Sequence, residues 1–152
     1  YFGLLMAIPF LIMVLWFLNL NRMNRVDWQW LRRVGEMVNG DDQNMPEQGG
    51  YNGGQKLLFW LLVSGTVLLL VSGVAIWRAW FHFPVEQVRL ASVAHAAVAA
   101  VMIGLIMVHV YASIWVKGTI RAMWYGTVTR AWARQHHRAW YRQMTGIKNG
   151  QP

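Results

Sequence analysis

The sequence contains no cysteine. Disulfides, thiolate nucleophiles and protein-borne iron–sulfur ligation are therefore excluded for this chain, and any redox centre that it holds must use nitrogen ligands. Charge is scarce as well: 13% of the 152 residues are charged against 56% hydrophobic, a composition unusual for a small soluble domain. Acids are the rarer sign, six against fourteen Lys and Arg, and the tail from Lys117 onward has none. Histidine is sparse, with five in all and none in the first two apolar runs described next.

What is abundant is long uncharged sequence. The stretches 1–21, 57–77 and 90–116 carry no Asp, Glu, Lys or Arg. Each exceeds the roughly 18 to 20 residues that a helix needs to cross a hydrocarbon core about 30 Å thick. The second reads LLFWLLVSGTVLLLVSGVAIW, without the polar face that a soluble helix shows every third or fourth residue. Its Ser, Thr and Gly suit close helix packing in lipid. The expected fold is an all-α integral membrane helix bundle, one membrane domain over 1–152 with spans at about 1–20, 57–77 and 90–116.

The charges orient it. Five Lys/Arg fall in the loop 21–56, seven in the tail 117–152 and two in the loop 78–89. Basic loops favour the cytoplasmic side, so the loop 21–56 and the tail are placed there and Tyr1 outside, in a multi-pass membrane protein. A net charge of +8 would suggest nucleic acid in a soluble protein. Beside a membrane end, however, a basic stripe has an electrostatic reason of its own, and no nucleic-acid partner is expected.

The chain enters its first run at once, with neither an initial Met nor a charged flank. That opening predicts a fragment whose N-terminal part is missing. VDWQWLRRVGEMV at 26–38 has the periodicity of a helix lying in the interface or packed against a partner. The Gly- and Asn-rich stretch 39–56 is expected to be irregular. The tail 119–144, mixing Trp and Tyr with Arg, is expected to form one basic interfacial or partner-docking helix. Trp16, Trp60, Trp77, Trp80, Trp115 and Trp124 stand near span ends, as interfacial anchors do.

Two histidines, His95 and His109, lie within the third run. Polar side chains at membrane depth are costly and generally face a cavity or a ligand. Fourteen residues are close to four helical turns, which puts both imidazoles within roughly 40° of one face and about 21 Å apart. Haem iron takes imidazole axially, so this geometry offers one ligand to each of two haems, near opposite leaflets. Ala91, Ala94, Ala96, Ala97, Ala99, Ala100 and Gly104 leave room for a flat macrocycle, although small residues also serve helix packing. A proton relay is the main rival reading of the pair. His82, in the outer loop, and His136 and His137, in a tail expected to be solvated, are weaker candidates.

The strings YNGGQKLLFW (51–60), LLLVSGVAIWR (68–78), YASIWVKGTIRAMWYGTVTRAWA (111–133) and HHRAWYR (136–142), with the two-histidine run, resemble the cytochrome b (gamma) membrane subunit of respiratory formate dehydrogenases. The likeness is strong over 51–142 and loose before it. It implies a four-helix subunit with two haem b, of which this chain is spans two to four. It also implies His95 on the periplasmic haem and His109 on the cytoplasmic one, both opposite axial ligands preceding Tyr1. Menaquinone or ubiquinone would be reduced beside Asn52, Gly54 and His109. A plain turn role for Asn52 stays open.

The implied partners are an iron–sulfur (beta) subunit and, through it, a molybdenum or tungsten catalytic (alpha) subunit. The chain itself would carry electron transfer and quinone reduction, with no catalytic residue for formate oxidation. Arg138 stands where the family tail usually has Pro. The alternatives are a cytochrome b subunit of a nickel–iron hydrogenase or thiosulfate reductase, or a haem-free membrane anchor or proton-pathway subunit.

Overall fold

A computed structural model describes residues 2–39, 45–77, 80–116 and 118–146. Arg78, Lys117 and the segment 40–44, used above as span flanks and loop, lie outside the described residues. Among the described residues all regular structure is helical: α1 (Phe2–Leu5), α2 (Ala7–Phe17), α3 (Arg25–Arg32), α4 (Val34–Val38), α5 (Gly53–Ile76), α6 (Val85–Trp115), α7 (Thr119–Tyr125), α8 (Arg130–His136) and α9 (Arg138–Thr145). They fall into two compact units, Tyr1–Asn19 with Leu58–Ala112 and Leu20–Leu57 with Ser113–Pro152.

In the first unit α1 and α2 form a nearly continuous apolar helix, since Met6 N–H donates to Phe2 O at 3.0 Å and Phe10 N–H to Met6 O at 3.1 Å. Pro9 has no N–H for the Leu5 carbonyl, which accounts for the irregular turn at Met6. The pair Phe2–Phe17 is apolar but short, about 24 Å at 1.5 Å per residue. By length and composition α5, with 24 residues, and α6, with 31, suffice to cross a membrane. At the same rise they measure about 36 and 46 Å.

Their apolar side chains point outward: Val71, Leu90, Val93 and Met107 are 64%, 72%, 69% and 66% exposed. Buried hydrophobic side chains among the described residues are Trp30 and Ala133. A water-soluble chain this apolar would bury such residues around a core, whereas lipid solvates them where they stand. The fold is that of an all-α membrane protein.

The helices α5 and α6 meet in antiparallel register. Ser72 faces His95 and, seven residues further from the connecting turn on each helix, Gly65 faces Met102. A Cβ on Gly65 would run into the Met102 side chain, so the glycine admits the close approach.

The second unit is built on capped helix starts. Asn24 Oδ1 accepts from Asp27 N–H at 2.9 Å while Asp27 Oδ2 accepts from Asn24 N–H at 2.8 Å, a capping box that opens α3. Asn52 and Gln55 repeat it at the head of α5, with Asn52 Oδ1 accepting from Gln55 N–H and Gln55 Oε1 from Asn52 N–H, each at 2.9 Å. The helix therefore begins at Gly53, inside the stretch expected to be irregular.

The tail also departs from expectation: it is three short helices, not one. Gly126 ends α7 in the left-handed region at φ 65°, and the β-branched Thr127 and Val128 follow it before Thr129 Oγ1 accepts from Trp132 N–H at 3.2 Å to cap α8. His137, at φ −137° and ψ 57°, separates α8 from α9.

Candidate haem and quinone sites

His95 and His109 both lie on α6, which is unbroken between them, so the expected four-turn spacing holds on a real helix. Each is half-buried. The His95 ring presents its Nδ1–Cε1 edge to α5. Ser72 Oγ lies 2.9 Å from Nδ1, and a Cβ placed on Gly73 would sit 3.6 Å from Cε1, an ordinary contact.

Ser72 Oγ also stands 2.6 Å from the carbonyl oxygen of Leu68. A carbonyl only accepts, so the single hydroxyl proton goes to Leu68 and the serine oxygen accepts from His95 Nδ1–H. That assigns the proton to Nδ1 and keeps the lone pair on Nε2, the state in which imidazole ligates a metal. The donor chemistry at His95 therefore fits axial ligation of haem iron. Neighbouring Ala91, Ala94, Ala96 and Ala99 add little volume around the ring on its own helix.

Asn52 and Gly54 belong to the second unit. Asn52 spends its side-chain oxygen on the α5 cap, leaving the two amide hydrogens as its donors. Gly54 is placed by Trp30: a Cβ there would lie 3.0 Å from the indole ring. Gly53 is tighter still, since its Cβ would lie 2.6 Å from the Asp27 carbonyl oxygen. The paired glycines thus let α3 seat on the start of α5.

A buried ion pair ties the same contact. Lys56 Nζ donates to Asp27 Oδ2 at 2.8 Å and to the Arg22 carbonyl at 3.2 Å, and the two side chains are 10% and 2% exposed. A buried ammonium and carboxylate are tolerated here because each is hydrogen-bonded as well as paired.

The tail was expected to be solvated, yet His137 is buried. Its Nδ1–H donates to the Gly49 carbonyl at 2.6 Å. Burial lowers its pKa below the ordinary histidine value, with the neighbouring His136 charge adding to the effect and the Gly49 bond opposing it. Trp140 N–H reaches Gln48 O at 3.4 Å, and Arg142 grips Glu47 with both guanidinium nitrogens, Nη1 at 2.8 Å from Oε1. His137 and α9 thereby fix the backbone just before Asn52. His82 is exposed in the segment before α6, and the His136 ring lies tilted by 48° against Trp132, with centroids 5.1 Å apart.

The sequence matches the family described as prokaryotic cytochrome b561 over residues 1–126. The chain belongs to that family. It is accordingly a bacterial membrane b-type cytochrome of electron transfer, whose family chemistry implies haem b. Among curated relatives of this cytochrome, the cytochrome b556(fdo) subunit of formate dehydrogenase from Escherichia coli K12 is 42% identical over 144 residues, 93% of this chain and 67% of the relative. The cytochrome b556(Fdn) subunit of the nitrate-inducible formate dehydrogenase from the same strain is 38% identical over 146 residues, 95% of this chain and 67% of the relative. The formate dehydrogenase cytochrome b556 subunit of Haemophilus influenzae is 38% identical over 143 residues, 93% of this chain and 60% of the relative.

Proposed function

We propose that this cytochrome is the membrane subunit of a respiratory formate dehydrogenase, with His95 and His109 each an axial ligand to one of two haem b. The observation that carries the reading is the histidine pair at four-turn spacing on one uninterrupted apolar helix, with the His95 tautomer set for ligation through Ser72. A haem held there by His95 or His109 would supply one-electron transfer.

The protein's own residues orient the imidazoles, exclude water through the surrounding apolar helix and hold the two ligands about 21 Å apart along the axis, one toward each leaflet. Electrons enter on the His95 side from an iron–sulfur subunit, itself fed by a molybdenum or tungsten formate-oxidising subunit, and leave on the His109 side to menaquinone or ubiquinone. Basic residues in the loop 21–56 and the tail support a cytoplasmic position for both in an inner-membrane protein.

Asn52, Gly54 and His109 are the proposed quinone contacts. The Asn52 amide donates to a quinone carbonyl gaining charge, beside the Gly54 backbone that packs against Trp30. The formate assignment rests on the likeness to cytochrome b556 subunits of formate dehydrogenases. It is tested by purifying the membrane complex with His95→Ala or His109→Ala and recording reduced-minus-oxidised visible spectra. Each variant is expected to lose about half of the b-type α-band, as one axial ligand per haem requires. Retention of the full band in both variants would overturn the ligand assignment, and purification without a formate-oxidising partner would overturn the complex.

A further inference from the structure

We infer that Ser72 is the positioning residue for the His95 haem ligand, fixing both the tautomer and the plane of its imidazole from the neighbouring helix. The inference rests on the proposal that His95 ligates haem.

Three observations converge on the serine. Its hydroxyl is committed as a donor to the Leu68 carbonyl, at 2.6 Å, so its oxygen faces His95 as an acceptor at 2.9 Å. The Leu69 carbonyl, at 3.3 Å, lies on the same side as Leu68 and offers the proton another acceptor within the helix. Finally, the next residue is Gly73, whose missing side chain lets the Nδ1–Cε1 edge of the ring lie against α5. An imidazole whose Nδ1 has no acceptor can rotate about its Cβ bond and, before it ligates, can place its proton on either nitrogen. Ser72 removes both freedoms.

It also acts on the electronics. An acceptor at Nδ1–H makes the imidazole a stronger donor to iron and so favours the ferric state, as partners of metal-bound histidines do in general. A neutral hydroxyl acts in this way more weakly than a carboxylate. Because Ser72 is held by its own helix, the hydrogen bond also ties the azimuth of the His95 ring to the α5–α6 register.

The test uses the complex purified from membranes, with Ser72→Ala, Ser72→Thr and His95→Ala compared by redox titration of the b-type α-band and by low-temperature electron paramagnetic resonance of the oxidised haems. Ser72→Ala is expected to raise the midpoint potential of one haem only, by up to the 59 mV that corresponds to a tenfold change in relative ferric affinity, and to shift its low-spin g values. Haem stays bound, with affinity lowered by roughly tenfold or more. Threonine keeps the hydroxyl and its bond to the preceding turn, so Ser72→Thr should return both signals toward the parent.

An unchanged potential and an unchanged resonance in Ser72→Ala would overturn the positioning role. So would a shift that threonine fails to rescue, since it would trace to helix packing. If His95→Ala keeps both haems, the ligand assignment has failed and the serine inference fails with it. The His95→Ala control separates that outcome from a failure confined to Ser72.

Discussion

Replacing Lys56 with Met isolates the buried ion pair that joins the head of α5 to α3. At 2.8 Å, and with the effective dielectric of about 20 that suits protein sites, the gross attraction is about 6 kcal/mol. The net effect of the substitution depends on what remains. Asp27, 2% exposed, keeps the Asn24 N–H as a donor but loses its counterion, and stranding one partner of a buried pair costs about 3–5 kcal/mol. Spread over a local opening of α3 away from α5, that is roughly two to four decades in the opening constant, at about 1.4 kcal/mol per decade. Amide hydrogen exchange read by mass spectrometry on the complex in detergent measures it peptide by peptide. Amides of α3 and of the first turn of α5 should exchange faster by that factor in Lys56→Met, while those in the middle of α6 should not change. Unaltered protection of α3 would refute the pair as the clasp. Equal loss along α6 would show that the effect is global.

Gly53→Ala should loosen the same contact without touching a charge, since its Cβ would stand 2.6 Å from the Asp27 carbonyl and backbone must move; exchange of α3 should again quicken while α6 is spared. Asn52→Ser keeps a side-chain oxygen for the α5 cap and removes the amide donors, so quinone reduction by the complex should fall about 10-fold or more with haem content intact. Asn52→Leu also removes the cap, at a further cost of about 1 kcal/mol, and equal activity of Asn52→Ser and the parent would leave the asparagine with capping alone. His137 is held below the ordinary histidine value by burial. The neutral form is the folded one, so its contribution is fully present above pH about 6.5 and is lost as pH falls through the lowered folded value. Protease cleavage in the tail should therefore rise on acidification, and less so in His137→Gln.

The all-α membrane class was legible because the bilayer imposes a length, and uninterrupted apolar runs such as 57–77 answer to little else. The histidine pair was legible because both members share one helix, where spacing is geometry. Ser72 was not, because its partner is twenty-three residues away on another helix and a serine within an apolar run reads equally well as packing. The α5 start could have been read from the sequence: Asn52 and Gln55 form an N-x-x-Q capping box, which the surrounding glycines masked as loop. The tail breaks were also readable, from Gly126 followed by Thr127, Val128 and Thr129, but the mixture of Trp and Tyr with Arg suggested one basic helix. Burial of His137 had no local signal, since its acceptor lies eighty-eight residues earlier at Gly49.

Because one uninterrupted helix carries both His95 and His109, α6 works as a ruler. Sliding or tilting against its neighbours moves both imidazoles together and leaves their separation unchanged. What the ruler does not tolerate is a change in its own count: a single residue inserted between the two turns one imidazole by about 100° and lengthens the gap by about 1.5 Å. The lipid-facing side chains of this segment can change as long as they stay apolar, while on the proposed two-haem reading the count of residues from 95 to 109 sets the separation of the two ligands.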